Sequence, residues 1–366
     1  MPRKWKRCHG GGLTNRRRLT IVSRKRLPGD SPQASVPLRT SIKSGRYPMR
    51  RFLASRLLAA VVLPAALTLA PLGSAIADTA QPKVALVMKS LANEFFLTME
   101  NGAKAYQQQH GDEFQLVTNG IKNETDTTAQ VNIVQQMIAA KVDALVIAPA
   151  DSKALVPVVE QASKAGIKVV NIDNRLDPAL LKAKGLDVPF VGPDNQAGAF
   201  KVGEYLGQQL KAGDSVGIIE GVSTTTNAQQ RSAGFKQAME AAQMKIVSVQ
   251  SGDWEMAPGQ RVAAAMLSEY PDLKALLAGN DNMALGAVSA VRAAGKAGQV
   301  KVVGYDNIKA IAPMLKDGRV LATADQYADR QAVYGIEAAL KLVKGQDSGA
   351  QQGVITTPVD LVTGKP

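Results

Sequence analysis

Carboxylates, carboxamides and aromatic rings recur at one kind of position in this sequence, directly after short apolar runs. Asn93, Phe95 and Phe96 come soon after Lys83–Met88 (KVALVM), and Asp173, Asn174 and Arg175 follow Lys168–Ile172. Ser251, Asp253 and Trp254 follow Lys245–Gln250, and Asn280 and Asp281 follow Ala275–Ala278. Tyr305 and Asp306 follow Lys301–Gly304, and Asp325 and Gln326 follow Leu321–Ala324. A carboxylate accepts from two hydroxyls, a carboxamide both donates and accepts, and a ring covers apolar C–H faces. These are the groups that a polyhydroxylated ligand requires.

Each residue also fits a purely structural part. Asn93, Asn280 and Asp281 precede helical segments and suit N-caps. Asp173 and Asp306 suit strand ends, Phe95 and Phe96 suit a core, and Trp254 suits an interface. What distinguishes the set is its recurrence after strand upon strand. Other chemistries lack their groups. Cys8 is the only cysteine, and His110 is the only histidine beyond residue 77. That excludes disulfide frameworks, cysteine nucleophiles, Cys-type zinc sites and His-cluster metal sites from the body of the chain. No G-x-G-x-x-G follows a strand, G-x-x-x-x-G-K-[ST] is absent, and no G-x-S-x-G elbow appears, since the match at Gly213–Gly217 opens the strand expected at Ser215–Glu220 and does not turn from a strand into a helix. No cofactor is expected. Spacing alone leaves open a glycosidase-type carboxylate pair, whose separation of roughly 5–10 Å exists only in three dimensions.

The elements that must position these residues alternate. Strands are expected at Lys83–Met88, Phe114–Thr118, Asp143–Pro149, Lys168–Asp173, Phe190–Asn195, Ser215–Glu220, Lys245–Gln250, Ala275–Ala278 and Lys301–Tyr305. Helices are expected at Glu94–His110, Asp126–Ala140, Asp151–Ala165, Gln196–Leu210, Ala228–Ala242, Pro258–Glu269, Met283–Ala294 and Ile308–Lys316. Uniformly apolar strands with helices between them call for parallel sheets covered on both faces. Two such sets in succession imply an α/β fold of two doubly wound lobes, with ligands beyond the strands' carboxyl ends.

Charge divides the chain. The whole carries a formal +13, but residues 1–77 hold 16 of its 44 Lys and Arg and one of its 31 acids, Asp30. The remaining 28 bases and 30 acids nearly balance, so the body offers no argument for nucleic-acid binding. Residues 49–77 (MRRFLASRLLAAVVLPAALTLAPLGSAIA) show a positive start, an apolar run and the small-x-small pattern Ala75-Ile76-Ala77. That is the anatomy of a secretory signal peptide, cleaved after Ala77. Its apolar run contains two prolines and falls short of the ~20 residues of a spanning helix. Residues 1–48 show no hydrophobic period and are read as a mis-assigned or disordered extension, translation starting at Met49. Basic runs such as Arg16-Arg17-Arg18 raise the alternative of a DNA-binding arm, without a two-helix pattern to support it.

From Lys83 to Pro366 the chain resembles the ribose-type periplasmic sugar-binding proteins of ABC importers. The resemblance rests on K-V-A-L-V-M-K-S-L-A-N-E-F-F (83–96), A-P-A-D-S-K-A-L (148–155), V-N-I-D-N (170–174), V-G-P-D-N-Q-A-G (191–198), Q-R-S-A-G-F (230–235), G-N-D-N-M-A-L-G-A (279–287), V-V-G-Y-D (302–306) and A-T-A-D-Q (322–326). The pairing of G-N-D-x-M-A-L-G-A with V-V-G-Y-D also occurs in effector domains of repressors related to the lac repressor.

The resemblance implies two lobes joined by three crossings, near Val191–Asp194, Gln326–Tyr327 and Val354–Pro358. The N-terminal lobe is placed at 78–192 and 327–355, and the C-terminal lobe at 193–326 and 356–366. It implies a monosaccharide or polyol held by Asn93, Phe95, Phe96 and Asp173 from one lobe and Trp254, Asn280, Asp306 and Gln326 from the other. Three positions depart from the family pattern. Asn174 stands where an Arg is usual, Gln229 stands where a second Arg is expected with Arg231 two places on, and Ala148 replaces an Asn. Asn174, Gln229 and Arg231 complete the candidate set, and the departures widen the ligand range to pentoses, furanose hexoses and polyols such as inositol. Implied partners are a membrane permease and, compatibly, a chemotaxis receptor. The mature chain is expected to be a periplasmic monomer that binds no nucleic acid. Rival readings are a transcriptional regulator on the same lobes, an enzyme using Asp173 and Asp306 as acid and base, and a receptor for a sugar-like signal.

Overall fold

The computed structural model describes residues 81–364. The signal peptide, its cleavage point and the extension before it lie outside the described residues. The first half runs β1 (Lys83–Ser90), α1 (Glu94–Gln109), β2 (Gln115–Ile121), α2 (Thr127–Ala139), β3 (Ala144–Ile147), α3 (Val156–Lys164), β4 (Lys168–Ile172), α4 (Pro178–Ala183) and β5 (Phe190–Pro193). The second runs α5 (Asn195–Gly207), β6 (Ser215–Glu220), α6 (Thr226–Ala241), β7 (Lys245–Ser251), α7 (Met256–Glu269), β8 (Ala275–Ala278), α8 (Asp281–Ala293) and β9 (Lys301–Val303). A 3-10 turn (Lys309–Ile311), α9 (Ala312–Lys316), β10 (Ala322–Asp325), α10 (Ala328–Val343), β11 (Val354–Thr357) and β12 (Asp360–Thr363) complete it.

These strands make two six-stranded sheets, ordered β11-β5-β4-β3-β1-β2 and β12-β10-β9-β8-β6-β7. The first is wholly parallel. In the second, the edge strand β12 runs antiparallel to β10, a common trimming of an otherwise parallel sheet. The anticipated doubly wound α/β architecture is therefore present twice. Each sheet places its first strand between its second and third, so the winding reverses there and leaves a crevice at the carboxyl ends. The chain passes between the sheets three times, at Pro193–Asn195, Asp325–Ala328 and Thr357–Asp360.

Several elements differ from expectation, among them the unanticipated α4, β11 and β12. α3 begins at Val156 rather than Asp151, because the Asp151 carboxylate accepts from Lys153 N and Ala154 N and winds residues 151–155 into a local turn. Pro157 then stands in the first helical turn, where its missing N–H costs nothing. The single helix expected at Ile308–Lys316 is divided into the 3-10 turn and α9. α10 was not anticipated at all. It packs against β3, β4 and α1, burying Ala332, Ile336, Ala339 and Leu340 at the i, i+3, i+4 spacing of a helical face.

Candidate ligand-binding site

A cavity lies where the carboxyl ends of the two sheets meet. Lys89 enters it from the end of β1. Asn93 caps α1, its Oδ1 accepting from Phe95 N at 3.1 Å, and still lines the cavity, its Nδ2 donating to Glu124 Oε1 at 2.9 Å. Capping and lining are thus compatible, because an N-cap uses one oxygen and leaves the amide free. Phe95 and Phe96, on the first turn of α1, meet edge to face with centroids 5.0 Å apart. Asp173, just past β4, adopts a left-handed backbone with φ 61°.

From the other lobe, Asp253 and Trp254 follow β7, both left-handed, with φ of 54° and 65°. The turn is pinned by Ser251, whose Oγ donates to Gly221 O and to Asp253 Oδ1, and by Asn280 Nδ2, which donates to Trp254 O. Asn280 also caps α8 through Met283 N. The Trp254 ring lies flat over Gly221, where any Cβ would come within 2.0 Å of it. Asp306 follows β9 with φ 118°, and Asn307 with φ 54°. Their turn is braced from beneath by buried Asp281, which accepts from Thr323 Oγ1 at 2.7 Å and Ile308 N at 3.0 Å. Asp281 leaves no room for a side chain at Gly304, whose Cβ would fall 2.1 Å from its Oδ1. This explains the glycine of V-V-G-Y-D. Gln326 sits at the second crossing, oriented by Gln331 of α10, and its Nε2 donates to Asp306 Oδ1 at 2.7 Å. Left-handed non-glycine backbone is costly and gathers at functional sites. Here it is found at three lining residues, Asp173, Trp254 and Asp306.

The charges are paired across the walls. Lys89 Nζ lies 3.3 Å from Asp173 and 3.9 Å from Glu124. Arg231 of α6 lies 3.3 Å from Asp306 and donates to Asn195 Oδ1 and Gly279 O. Its guanidinium also stacks 3.8 Å over the Tyr305 ring and 5.4 Å from that of Trp254. Burial raises the Glu124 carboxyl to about 7 against the pull of Lys89 and Asn93. Burial likewise raises Asp306 to about 7, although Arg231 and Gln326 pull it down. A carboxyl raised on folding contributes stability that is complete below its ordinary value and is lost as pH rises through the folded one. Between pH 4.5 and 7, Glu124 therefore makes the protein progressively less stable. Glu124→Gln should flatten the fall in melting temperature over that window, since each tenfold change in proton affinity between the folded and unfolded chain is worth about 1.4 kcal/mol. A melting series from pH 4 to 8 on both proteins checks it, and parallel curves would refute it.

Three buried side-chain polar atoms on lining residues lack any hydrogen bond: Asp173 Oδ2, Asn227 Oδ1 and Trp254 Nε1. Asp173 Oδ2 faces Lys89 as an ion pair without hydrogen-bond geometry. Each such atom costs about 1–3 kcal/mol unless a partner arrives. Their convergence on one cavity describes a polar, neutral guest, since the surrounding charges already pair among themselves. Among the described residues, no group of three His, Cys, Asp or Glu gathers to hold a metal.

Of the anticipated residues, Asn93, Phe95, Phe96, Asp173, Arg231, Trp254, Asn280, Asp306 and Gln326 are brought together here. Asn174 and Gln229 are not. Asn174 is fully buried, and its Nδ2 donates to Pro149 O. Asp173 lines the cavity, whereas this bond holds the Asn174 side chain away from it. Gln229 is exposed and donates to Ser223 O. Residues two apart on a helix do not share a face, so Arg231 inward puts Gln229 outward, and Arg231 supplies the guanidinium whose place Gln229 was expected to leave unfilled. Lys89, Glu124 and Asn227 line the cavity without having been anticipated.

The family model described as a periplasmic binding protein domain matches residues 84–347. The D-ribose/D-allose-binding protein of Pseudomonas aeruginosa is 70% identical over 317 residues, 86% of this chain and 99% of that protein. The crystal structure of an ABC transporter solute-binding protein from Burkholderia multivorans is 71% identical, with a TM-score of 0.75 over 77% of this chain and 99% of that one. A periplasmic solute-binding protein from Actinobacillus succinogenes, with bound D-allose, is 36% identical, with a TM-score of 0.73 over 78% and 98%.

Proposed function

The chain belongs to the periplasmic binding protein domain family, and from that premise we propose that it captures an aldose such as D-allose or D-ribose between its lobes for an ABC import permease. The observation that carries this reading is the set of unsatisfied buried polar atoms on residues that line one cavity between the sheets. The relatives named for D-ribose/D-allose binding and the neighbour holding D-allose support the choice of aldose. They are named as binding proteins, and this chain is a binding protein rather than an enzyme; a regulator on the same lobes is not favoured.

In this reading Phe95 or Phe96 and Trp254 cover the two faces of the ring. Asp173 and Asp306 accept from hydroxyls, and Asn93, Asn227, Asn280, Gln326, Lys89 and Arg231 complete the hydrogen bonds. Sugar shifts the population toward the closed state because only that state makes both lobes' contacts, and the permease reads that state. The lobes comprise 78–192 with 327–355 and 193–326 with 356–366. The mature protein is periplasmic, begins at Asp78 and works as a monomer. Intact mass of protein recovered from the periplasm tests the cleavage point.

Trp254 is the sole tryptophan beyond the leader, since the other is Trp5. Titrating the periplasmic protein with D-allose, D-ribose and myo-inositol while recording tryptophan emission should give a saturable change with an aldose. Silence across the panel, with unchanged melting temperatures, would overturn the sugar reading.

A further inference from the structure

Helix α6 starts without a side-chain cap from its own lobe. The hydroxyl of Thr225, its N-cap residue, donates to Val222 O at 2.7 Å instead. The first-turn N–H groups are met from across the cleft. Thr226 N donates to Ser152 Oγ at 2.9 Å, and Asn227 N donates to Asn174 Oδ1 at 3.3 Å. Thr226 Oγ1 donates to Arg175 O at 3.0 Å, and Ser152 Oγ donates to Asn174 Oδ1 at 3.3 Å. The receiving groups are built rigidly. Asn174 Nδ2 is tied to Pro149 O, Asn171 Nδ2 donates to Asn174 O, and Ser152, Asn174 and Asn227 are all buried. Elsewhere across the cleft, Glu124 N donates to Glu255 Oε1 and Ala310 N to Glu94 Oε2, each as a single bond.

We propose that Ser152 and Asn174 are positioning residues for ligand capture: they cap α6 only when the lobes are shut, and the same contact seats Asn227 in the cavity wall. The first N–H groups of a helix have no partner within it, so the open molecule must leave those of Thr226 and Asn227 to water. Closure converts them into buried bonds whether or not a ligand is present, which favours the shut state and slows release. Asn227 lines the cavity, its Oδ1 buried without a hydrogen bond, and is held in place by its own backbone N–H on Asn174. The strand-end residue that faces away from the ligand therefore acts on it through the opposite lobe. The effect on release rests on the aldose reading of the cavity; the capping itself does not.

The test combines amide hydrogen exchange at Thr226 and Asn227 with stopped-flow release of D-allose followed by Trp254 emission. It compares the protein with a Ser152→Ala/Asn174→Ala variant and with Thr226→Pro. Proline is tolerated at the first helical position, and Thr225 before it is already extended, with ψ 139°. The proline ring removes the donor and holds Ser152 off in the shut form alone. In the unaltered protein, sugar should slow exchange at these two amides. In both variants release should be roughly tenfold faster, the loss of one to two hydrogen bonds, and in the alanine variant sugar should no longer protect the pair. Release at the original rate, or exchange at 226 and 227 indifferent to sugar in the unaltered protein, would overturn the proposal. If none of the sugars binds, the aldose reading fails by itself. The capping is then decided without ligand: faster exchange at 226 and 227 in the alanine variant, with the interior of α6 unchanged, supports it, and no difference overturns it. Should the alanine variant not fold, Thr226→Pro decides by release rate, or by global exchange of α6 against the unaltered protein.

Discussion

Asp306→Ala is expected to weaken aldose binding by about two orders of magnitude or more while leaving the ligand-free protein folded. Losing a charged hydrogen-bond partner costs a bound sugar about 1.5–3 kcal/mol per bond, a carboxylate can accept from two hydroxyls, and each 1.4 kcal/mol is about tenfold. Asp306 is such a partner, between Arg231 at 3.3 Å and Gln326 at 2.7 Å. The fold tolerates its loss for two reasons. Arg231 keeps Asn195 and Gly279 as acceptors, and burial already opposes the charge on Asp306, as its raised pKa shows. Calorimetric titration with D-allose, alongside melting with and without sugar, checks both halves. Affinity unchanged would remove Asp306 from the site, and a collapsed melting temperature would make it a structural residue.

Gly221→Ala should have the next largest effect although it adds a single methyl group. That carbon would fall 2.0–2.3 Å from three atoms of the Trp254 ring. The ring cannot follow its backbone aside, because Asn280 holds Trp254 O and Ser251 ties the preceding turn to Gly221 O. It must tilt into the cavity. Overpacking of this kind costs about 1–3 kcal/mol, which for a chain of this size lowers the melting temperature by a few degrees. Aldose affinity should fall tens-fold, because the tilted ring takes ligand space. Trp254→Phe in the same background should recover part of both. Crystallography or emission spectra showing the ring unmoved would refute the argument.

How far the site could be read from the sequence follows from how side chains are directed. Asp173, Trp254, Asn280 and Asp306 were legible because each stands past an unmistakable apolar strand, and parallel sheets collect such ends on one edge. Asn174 and Gln229 were included because the resemblance expects Arg at their places; here Asn174 is tied to Pro149 O and Gln229 lies on the exposed side of α6, two places from Arg231. Glu124 was hidden by a boundary. Ending β2 at Thr118 rather than Ile121 left its following loop unread. Asn227 was lost the same way, since α6 begins at Thr226, two residues before the Ala228 expected from sequence. Lys89 stands one place past Met88, where the first strand was expected to end; β1 in fact runs on to Ser90, and burial against Asp173 and Glu124 reveals the part Lys89 plays. α10 went unanticipated although its apolar face keeps helical spacing, because it lies between the second and third crossings, beyond the last cluster at a strand end.

The three passages between the sheets bear on the order in which the molecule can be completed. Synthesis delivers β1 to β5 first, yet the helix that covers β3 and β4, α10, and the edge strand β11 emerge only after the entire second sheet but β12. Until then the face carrying Val146 and Ile172 has nothing to bury it, and the half-made lobe lacks much of its apolar gain. Contacts separated by more than a hundred residues also close slowly. A nascent chain of this topology cannot complete its first sheet and the cover over it until its last few dozen residues are available.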